Sequence, residues 1–502
     1  MEIIAKSEPR ISLSEHIDDC LRILEFLKIY FPKIQEVLSK NDFWETVKLS
    51  VLMHDLGKAH SEFQKLLLDQ ENEWHGQRHE LFSLPFIDAL NVEGVRKQII
   101  KLVVAGHHKD FEQLSSKYIS NTYVEGDVDE FGADGLMDFT KEFQKVDQED
   151  IIKMLREKHS IVLEKVKVNR PLKLILSYLQ NSHGNKINST DGTYFELLLI
   201  FGALKHCDHL GSAQVQKIEC LETSSFQFLR RKRQELVDKG KDFYQHQIAS
   251  SDVEGNAILT APTGSGKTES AILWLKHQLE ISGQGRAFYV LPYTASINAM
   301  YERLSNEKDG LGAEKVGMMH GKLQAYLYEY VDDNPEIGSS KNEVIKGIQD
   351  KFKTISMPFK VVTPFQLLKK LFGLKGFEKG IFEWVGGCFI FDEIHAYSPT
   401  VFAQLKVLLE YVVVNLKARV FIMTATMPSF LKLEIENSLG EFKSITASPN
   451  LYSAFNRHRV ILKEGLLHDG LDLISQRLEA GDKVLVVCNT VVQAQEVFKN
   501  LT

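Results

Sequence analysis

The fold of this chain is decided by one stretch of sequence, Ala261-Pro262-Thr263-Gly264-Ser265-Gly266-Lys267-Thr268. It follows an apolar, strand-like run at 257–260 and opens a helix-like run at 269–279. Gly264 and Gly266 let the backbone turn with its N–H groups pointing inward, which suits a phosphate group. Lys267 can reach the terminal phosphates, and the Thr268 hydroxyl can bind Mg²⁺. The sequence therefore predicts a site for ATP with Mg²⁺ between a strand and a helix.

The composition describes a globular chain of several domains. The 502 residues are 44% apolar and 25% charged, and the formal charge of −7 leaves nucleic-acid binding to local basic patches. The five cysteines form no Cys-x-x-Cys pair, which favours a reducing compartment, the cytoplasm. The most apolar run, 197–204, is far shorter than the roughly 20 residues that span a bilayer. We therefore expect no membrane partner.

The first half of the chain has a mostly helical pattern. Apolar residues recur at three- and four-residue steps after Ser12 and Ser14, either of which can cap the first helix. Further core helices are predicted at 47–53, 81–90, 95–105, 172–179 and 194–204. The polar stretch 121–135 is predicted to be a surface loop.

Histidines and aspartates lie at the ends of these helices, and the candidate metal ligands are His16, His54, Asp55, His79, His107, His108 and Asp208. A single histidine beside an apolar helix is more often a structural residue. Here two doublets, each of adjacent residues, occur with three further candidate ligands, and this combination favours a metal site. Adjacent helical side chains point about 100° apart, so each doublet can give one ligand to each of two ions. Mixed imidazole and carboxylate ligands favour Mn, Fe, Co, Ni or Zn over Mg. Whether the site holds one ion or two stays open.

Two divalent ions about 3.5–4 Å apart would activate water and stabilise the leaving oxygen in phosphodiester cleavage. Asp55 and Lys58 are the catalytic candidates in this half. Lys58 either orients the phosphate or is a solvated helix residue.

The set resembles the HD phosphohydrolase superfamily, and its order is similar to the nuclease branch of CRISPR interference proteins. The single histidine between the doublets is either His75 or His79. Arg78-His79-Glu80 followed by Ser83 resembles the pattern of that branch, which favours His79.

A basic run, Arg230-Arg231-Lys232-Arg233, lies between the two halves. It is either a solvated helical linker or a patch that contacts DNA backbone. The following stretch at 243–247 resembles the helicase Q motif, in which Gln247 would contact adenine.

The second half alternates apolar strands with helices, which predicts a doubly wound parallel sheet with ligand residues at the carboxyl ends of the strands. Strands are predicted at 257–260, 286–291, 360–362, 388–391 and 418–423. After the strand at 388–391, Asp392 would hold Mg²⁺ and Glu393 would activate the attacking water. His395 in the same segment, together with 424–426 after the strand at 418–423, would couple the nucleotide state to movement.

This half resembles superfamily 2 DExH helicases, whose P-loop carries alanine at the position of Ala261. The segments 291–294, 319–321 and 363–366 look like the motifs on the nucleic-acid side of that group. An HD nuclease followed by a DExH motor is similar to the CRISPR-associated helicase–nuclease of type I interference systems. The resemblance implies single-stranded DNA as substrate and an RNA-guided surveillance complex as partner.

We therefore expect a multidomain protein: an all-α HD domain at 1–225, a basic linker at 226–243, a first RecA-like domain at 244–450 and the start of a second at 451–502. The last part would contain a strand at 483–490. Later motifs of the family, including the arginine finger, have no counterpart, so we expect ATP binding with poor hydrolysis and no translocation. Two alternatives to a metal-dependent endonuclease or exonuclease stay open: a phosphohydrolase of small nucleotides, and a module that only binds ATP or a partner.

Overall fold

The computed structural model describes residues 2–38, 40–108, 135–168, 192–332, 341–456 and 460–501. It contains a large compact unit, Met1–Tyr452, and a small one, Ser453–Thr502. The boundaries expected at 225 and 243 fall inside the large unit, whereas the one expected at 450 lies near its end. Within the described residues no helix is both long enough and apolar enough to cross a membrane. The helix predicted at 172–179 and the loop predicted at 121–135, apart from Gly135, lie outside the described residues.

The first part of the large unit is helical. A short antiparallel hairpin, β1 (Ile4–Lys6) and β2 (Ile11–Ser12), precedes the first helix. The helices are α1 (Leu13–Tyr30), α2 (Ile34–Leu38), α3 (Phe43–Met53), α4 (Ser61–Leu67), α5 (His79–Phe82), α6 (Leu84–Asp88), α7 (Gly94–Gly106), α8 (Gly135–Phe143), α9 (Gln148–His159) and α10 (Gly192–Ser212), with a 3₁₀ turn at Leu56–Ala59.

Ser12 begins α1 as predicted, because its hydroxyl accepts a hydrogen bond from the Glu15 N–H while the Glu15 carboxylate accepts one from the Ser12 N–H. The single helix predicted at 81–90 is wrong. The chain breaks at Ser83 into α5 and α6, and Pro85 in the first turn of α6 has no N–H with which to continue a helix from α5.

The second part of the large unit is built on a parallel sheet. Its strands, with two short ones outside it, are β3 (Leu221–Glu222), β4 (Asn256–Thr260), β5 (Gln284–Gly285), β6 (Ala287–Val290), β7 (Val316–Met319), β8 (Phe359–Val362), β9 (Cys388–Asp392), β10 (Arg419–Thr424) and β11 (Phe442–Thr446). Seven strands form the sheet in the order β11-β4-β10-β9-β6-β8-β7, and every pairing is parallel. β3 and β5 pair separately and antiparallel. The predicted doubly wound sheet is therefore confirmed, with β7 and β11 as additional strands.

Helices cover this sheet: α11 (Gln227–Val237), α12 (Gln245–Ser251), α13 (Lys267–Ser282), α14 (Thr294–Ser305), α15 (Leu323–Asp332), α16 (Lys341–Lys353), α17 (Pro364–Leu371), α18 (Phe377–Trp384), α19 (Pro399–Glu410), α20 (Ser429–Leu439) and α21 (Pro449–Ala454). Short turns lie at Thr223–Phe226, Ile394–Ala396 and Tyr411–Asn415. The expected linker at 226–243 is largely α11. It is not a free linker, because Phe226, Phe228 and Leu229 are buried in the core of the sheet part.

The helical part packs on the sheet part through α10 and α18. A Cβ atom on Gly202 would lie 2.5 Å from the Glu378 carbonyl oxygen, so only glycine permits this approach. Beside it, the His206 Nε2–H donates to the Lys379 carbonyl over 3.1 Å. The two parts thus share one packed interface.

The small unit contains a 3₁₀ turn, Leu467–Gly470, and two helices, α22 (Leu471–Glu479) and α23 (Val491–Leu501). The strand expected at 483–490 is wrong for this structure. A strand is defined by hydrogen bonds to a neighbouring strand, and the described residues of this unit form none.

Candidate metal and nucleotide sites

The helical part brings all seven predicted metal ligands together. They come from the first turn of α1, the end of α3, the start of α5, the end of α7 and the last third of α10. Among the predicted ligands, two groups have ligand atoms within 4.8 Å of one another: His16, His54, Asp55 and Asp208 form the first group, and Asp55, His79, His107 and His108 form the second. Cys20 lies within the same distance of His16 and His54. Asp55 belongs to both groups.

The two oxygens of the buried Asp55 carboxylate face different groups. Oδ2 lies 3.2 Å from His16 Nε2 and 3.4 Å from His54 Nε2. Oδ1 lies 3.1 Å from His79 Nε2 and 3.5 Å from His107 Nε2. This single carboxylate is therefore positioned to bridge two cations.

Hydrogen bonds to the backbone fix two of the imidazoles with Nε2 toward the centre. His54 Nδ1–H donates to the Val51 carbonyl and His107 Nδ1–H to the Val104 carbonyl, each over 2.7 Å. In this tautomer Nε2 keeps a lone pair, as a metal ligand requires. His107 Nε2 is buried and has no hydrogen-bond partner among the described residues. The donor set thus fits a cation better than a protein hydrogen bond.

The charges around Asp55 keep it ionised. Burial alone would raise the pKa of Asp55, but His54 and Lys58 hold that pKa well below its ordinary value. Lys58 Nζ lies 2.6 Å from Asp55 Oδ2 and donates to the Ala5 carbonyl, so Lys58 is not the solvated residue considered above. It is a charged group at the edge of the first ligand group.

Two expectations about the histidines can be compared with this geometry. The expectation that each doublet divides between two ions is wrong for His107 and His108, because both lie in the second group. Helix α7 ends at Gly106, so the angle between successive helical side chains does not apply to them. His75 is exposed and outside both groups, whereas His79 begins α5 and joins the second.

Ser83 supports the site from behind. Its hydroxyl donates to the His54 carbonyl over 3.1 Å and accepts from the Gly57 N–H over 2.9 Å. A Cβ on Gly57 would collide with the His79 carbonyl oxygen. These contacts hold α5 against the turn that carries His54 and Asp55. Sequence reasoning did not assign Ser83 this role; a lone serine in an apolar run was the available signal.

The predicted phosphate loop joins β4 to α13. Gly264 and Gly266 both have φ of +84°, a conformation that glycine adopts at little cost. His246 Nε2–H donates to the Ser265 carbonyl and Gln247 Nε2–H to the Gly266 carbonyl, each over 3.1 Å. Two loop carbonyls are therefore held by α12, and the Ser265 N–H donates within the loop to the Pro262 carbonyl over 3.2 Å. Thr263 is exposed on the same loop.

A cleft of about 570 Å³ opens beside this loop, and its lining includes Tyr244, Gln247, Gly264, Ser265 and Gly266. The Gln247 carbonyl oxygen accepts from the Tyr244 N–H over 2.8 Å, so its amide is already bonded within the chain. The adenine contact of Gln247 stays a prediction.

The acidic pair at the end of β9 faces the phosphate loop. Lys267 Nζ lies 3.2 Å from Glu393 Oε1. Burial and the neighbouring Glu393 raise the pKa of Asp392 to about 6. Beyond the pair, His395 Nδ1 lies 2.7 Å from Thr424 Oγ1, so the two segments predicted to couple ATP to movement are in contact. The structure thus brings the predicted nucleotide residues together at the carboxyl edge of the sheet.

Comparison with known proteins agrees with this arrangement. Residues 244–433 match the family model described as DEAD/DEAH box helicase. Over 540 aligned residues the chain is 23% identical to the CRISPR-associated nuclease/helicase Cas3 of Methanothermobacter thermautotrophicus, an alignment that covers 97% of this chain. The chain is Cas3-like. It spans 62% of the length of that relative.

Solved structures share the fold of this Cas3-like chain. A crystal structure of a CRISPR-associated protein has a TM-score of 0.54 at 16% identity and covers all of this chain, which spans 62% of it. The T. fusca Cas3–ATP structure has a TM-score of 0.51 at 18% identity, over 87% of this chain and 52% of that one. At these identities the likeness concerns the fold alone.

Proposed function

We propose that this Cas3-like chain cleaves single-stranded DNA at a metal site in its helical part and binds ATP in its sheet part. In a protein that carries the full helicase motor, this ATP-binding domain would drive movement along DNA. The observation that carries the nuclease proposal is the pair of ligand groups that share Asp55. Imidazole and carboxylate donors suit Mn, Fe, Co or Ni. Two ions bound there would supply an activated water and stabilise the leaving oxygen of a phosphodiester.

The residues of the chain have distinct parts in this proposal. His16, His54 and Asp208 would hold one ion, His79, His107 and His108 would hold the other, and Asp55 would contribute to both groups. Lys58 neutralises Asp55 and offers a positive charge to a phosphate oxygen at the edge of the site.

In the sheet part, the loop amides and Lys267 bind the phosphates of ATP. Thr268 and Asp392 hold Mg²⁺, and Glu393 orients the attacking water. We further propose that the partner is an RNA-guided CRISPR surveillance complex in the cytoplasm, which displaces the DNA strand. The CRISPR-associated relative and the cysteines without disulfide partners support this setting.

The test is nicking of circular single-stranded DNA by the purified chain with Mn²⁺, Fe²⁺, Co²⁺, Ni²⁺ or Mg²⁺. Asp55→Asn keeps the shape of the side chain and removes the charge that bridges the groups, so we expect nicking to fall to background. His75→Ala changes a residue outside both groups and should retain wild-type nicking. A chelator should abolish nicking by both proteins. Absence of cleavage with every metal, or hydrolysis of free nucleotides in place of DNA, would contradict the proposal.

A further inference from the structure

Tyr289 is a fully buried tyrosine on β6, the strand next to β9 in the sheet. Its hydroxyl donates to Asp392 Oδ2 over 3.1 Å. The Tyr289 hydroxyl thus contacts, from a neighbouring strand, the carboxylate that is proposed above to hold Mg²⁺.

We propose that Tyr289 is a positioning residue for the magnesium that accompanies ATP: its hydroxyl holds the Asp392 carboxylate in the orientation that the cation requires. This inference rests on the ATP site proposed above. Residues behind the ligands of a metal fix ligand orientation, and their loss weakens metal binding by about 10–100-fold.

The second oxygen of the Asp392 carboxylate supports this assignment. With Oδ2 bonded to Tyr289, Asp392 Oδ1 is buried and has no hydrogen-bond partner among the described residues. A buried carboxylate oxygen without a partner costs free energy, unless a cation or water occupies the position it faces. Tyr289 therefore determines which oxygen of Asp392 stays without a hydrogen-bond partner among the described residues.

Packing alone would require only a ring of this size on β6, since phenylalanine fills nearly the same volume. The hydroxyl is the part that needs a functional explanation.

Tyr289→Phe removes only this hydroxyl. The matched control is Tyr326→Phe, which loses a tyrosine–carboxylate bond of the same length, 3.1 Å to Glu302, away from the nucleotide site. Binding of a fluorescent ATP analogue is measured against Mg²⁺ concentration, and again in EDTA. We expect Tyr289→Phe to raise the Mg²⁺ concentration for half-maximal binding about 10-fold, with binding in EDTA unchanged. Tyr326→Phe should match wild type in both measurements.

Three outcomes would overturn the inference. An unchanged Mg²⁺ titration would show that the hydroxyl has no part in metal binding. An equal loss with and without Mg²⁺, or a thermal midpoint lowered well below that of Tyr326→Phe, would assign Tyr289 a structural role. If wild type binds no nucleotide, or binds it no better than Lys267→Ala does, the ATP site itself is refuted and the inference with it.

Discussion

His246 shows how a residue without a chemical role can determine whether ATP binds. It is buried, and its Nε2–H is bonded to the Ser265 carbonyl inside the phosphate loop. Removing one hydrogen bond of this kind costs about 0.5–1.5 kcal/mol, and a freed carbonyl can turn toward the phosphates. We expect His246→Ala to weaken binding of the ATP analogue about 5- to 10-fold.

His277→Ala is the control, because His277 lies on α13 after the loop and its ring contacts the Glu280 carboxylate, away from the phosphate loop. Its affinity for the analogue should equal that of wild type. Equal affinities for all three proteins would show that the bond from His246 does not hold the loop.

The sequence predicts residues that the structure brings together at the two candidate sites, but it does not predict the contacts that hold them in place. The phosphate loop and Asp392-Glu393 were predicted because their spacing and the neighbouring apolar strands are local features. The bond from Tyr289 to Asp392 joins residues 103 positions apart, and no local pattern reports a contact between neighbouring strands. The apolar pattern presents Tyr289 only as part of a buried strand, although a tyrosine hydroxyl in such a position needs a partner.

At the scale of elements, β8 and α18 are joined by a buried ion pair. Lys360 Nζ lies 2.5 and 2.7 Å from the two oxygens of Glu383, and Arg286 Nη1 lies 3.6 Å from Glu383 Oε1. Removing one member of a buried pair costs about 3–5 kcal/mol, because the other charge stays buried. Lys360→Met should therefore lower the Tm clearly at pH 7.

The pH dependence of this difference follows from the pKa of Lys360. Burial lowers that pKa to about 8, although Glu383 opposes the change. Between pH 8 and the ordinary lysine pKa of about 10.4, the unfolded chain binds a proton that the folded chain has lost. The contribution of Lys360 to wild-type stability then rises with pH. The Tm gap between wild type and Lys360→Met should widen from pH 7.5 to pH 10.

Lys351→Met removes an exposed pair with Glu314 and serves as the control for this series. Its Tm should stay close to wild type at every pH, since exposed pairs contribute about 0–1 kcal/mol. A Tm gap for Lys360→Met that narrows above pH 8 would contradict the expected direction.

Several elements could be predicted because their apolar pattern is regular, and others could not. The helix predicted at 194–204 and the strand predicted at 388–391 lie within α10 and β9. β11 was missed because most of its side chains are exposed. Its sequence therefore lacks the apolar run by which the other strands were predicted, although it pairs with β4. Pro85 is a local signal for the break between the two helices, but the bonds from Ser83 to Gly57 and His54 join residues that are distant in sequence.

At the scale of the whole molecule, metal binding should stabilise the folded chain. An ion that binds the native state and not the unfolded one adds about 2.7 kcal/mol at a concentration 100 times its Kd. We therefore expect Mn²⁺ without nucleotide to raise the Tm by a few degrees. Asp55→Asn should lose this increase because both ligand groups lose a shared member.

His75→Ala should keep the full Tm increase with Mn²⁺, because His75 lies outside both ligand groups. This control distinguishes binding at the two groups from weak binding at other histidines. An equal rise in Asp55→Asn and in wild type, measured by the same thermal scan, would locate the bound ions elsewhere.

The glycine contact between α10 and α18 has a consequence for communication across the molecule. Gly202 and Asp208 lie on the same helix, about 9 Å apart along its axis. On the other side, α18 is followed directly in the chain by β9, which ends at Asp392. A helix is stiff over this length, so a displacement of α18 would be transmitted through α10 to Asp208. We therefore expect nucleotide binding in the sheet part to change the metal affinity of the helical part.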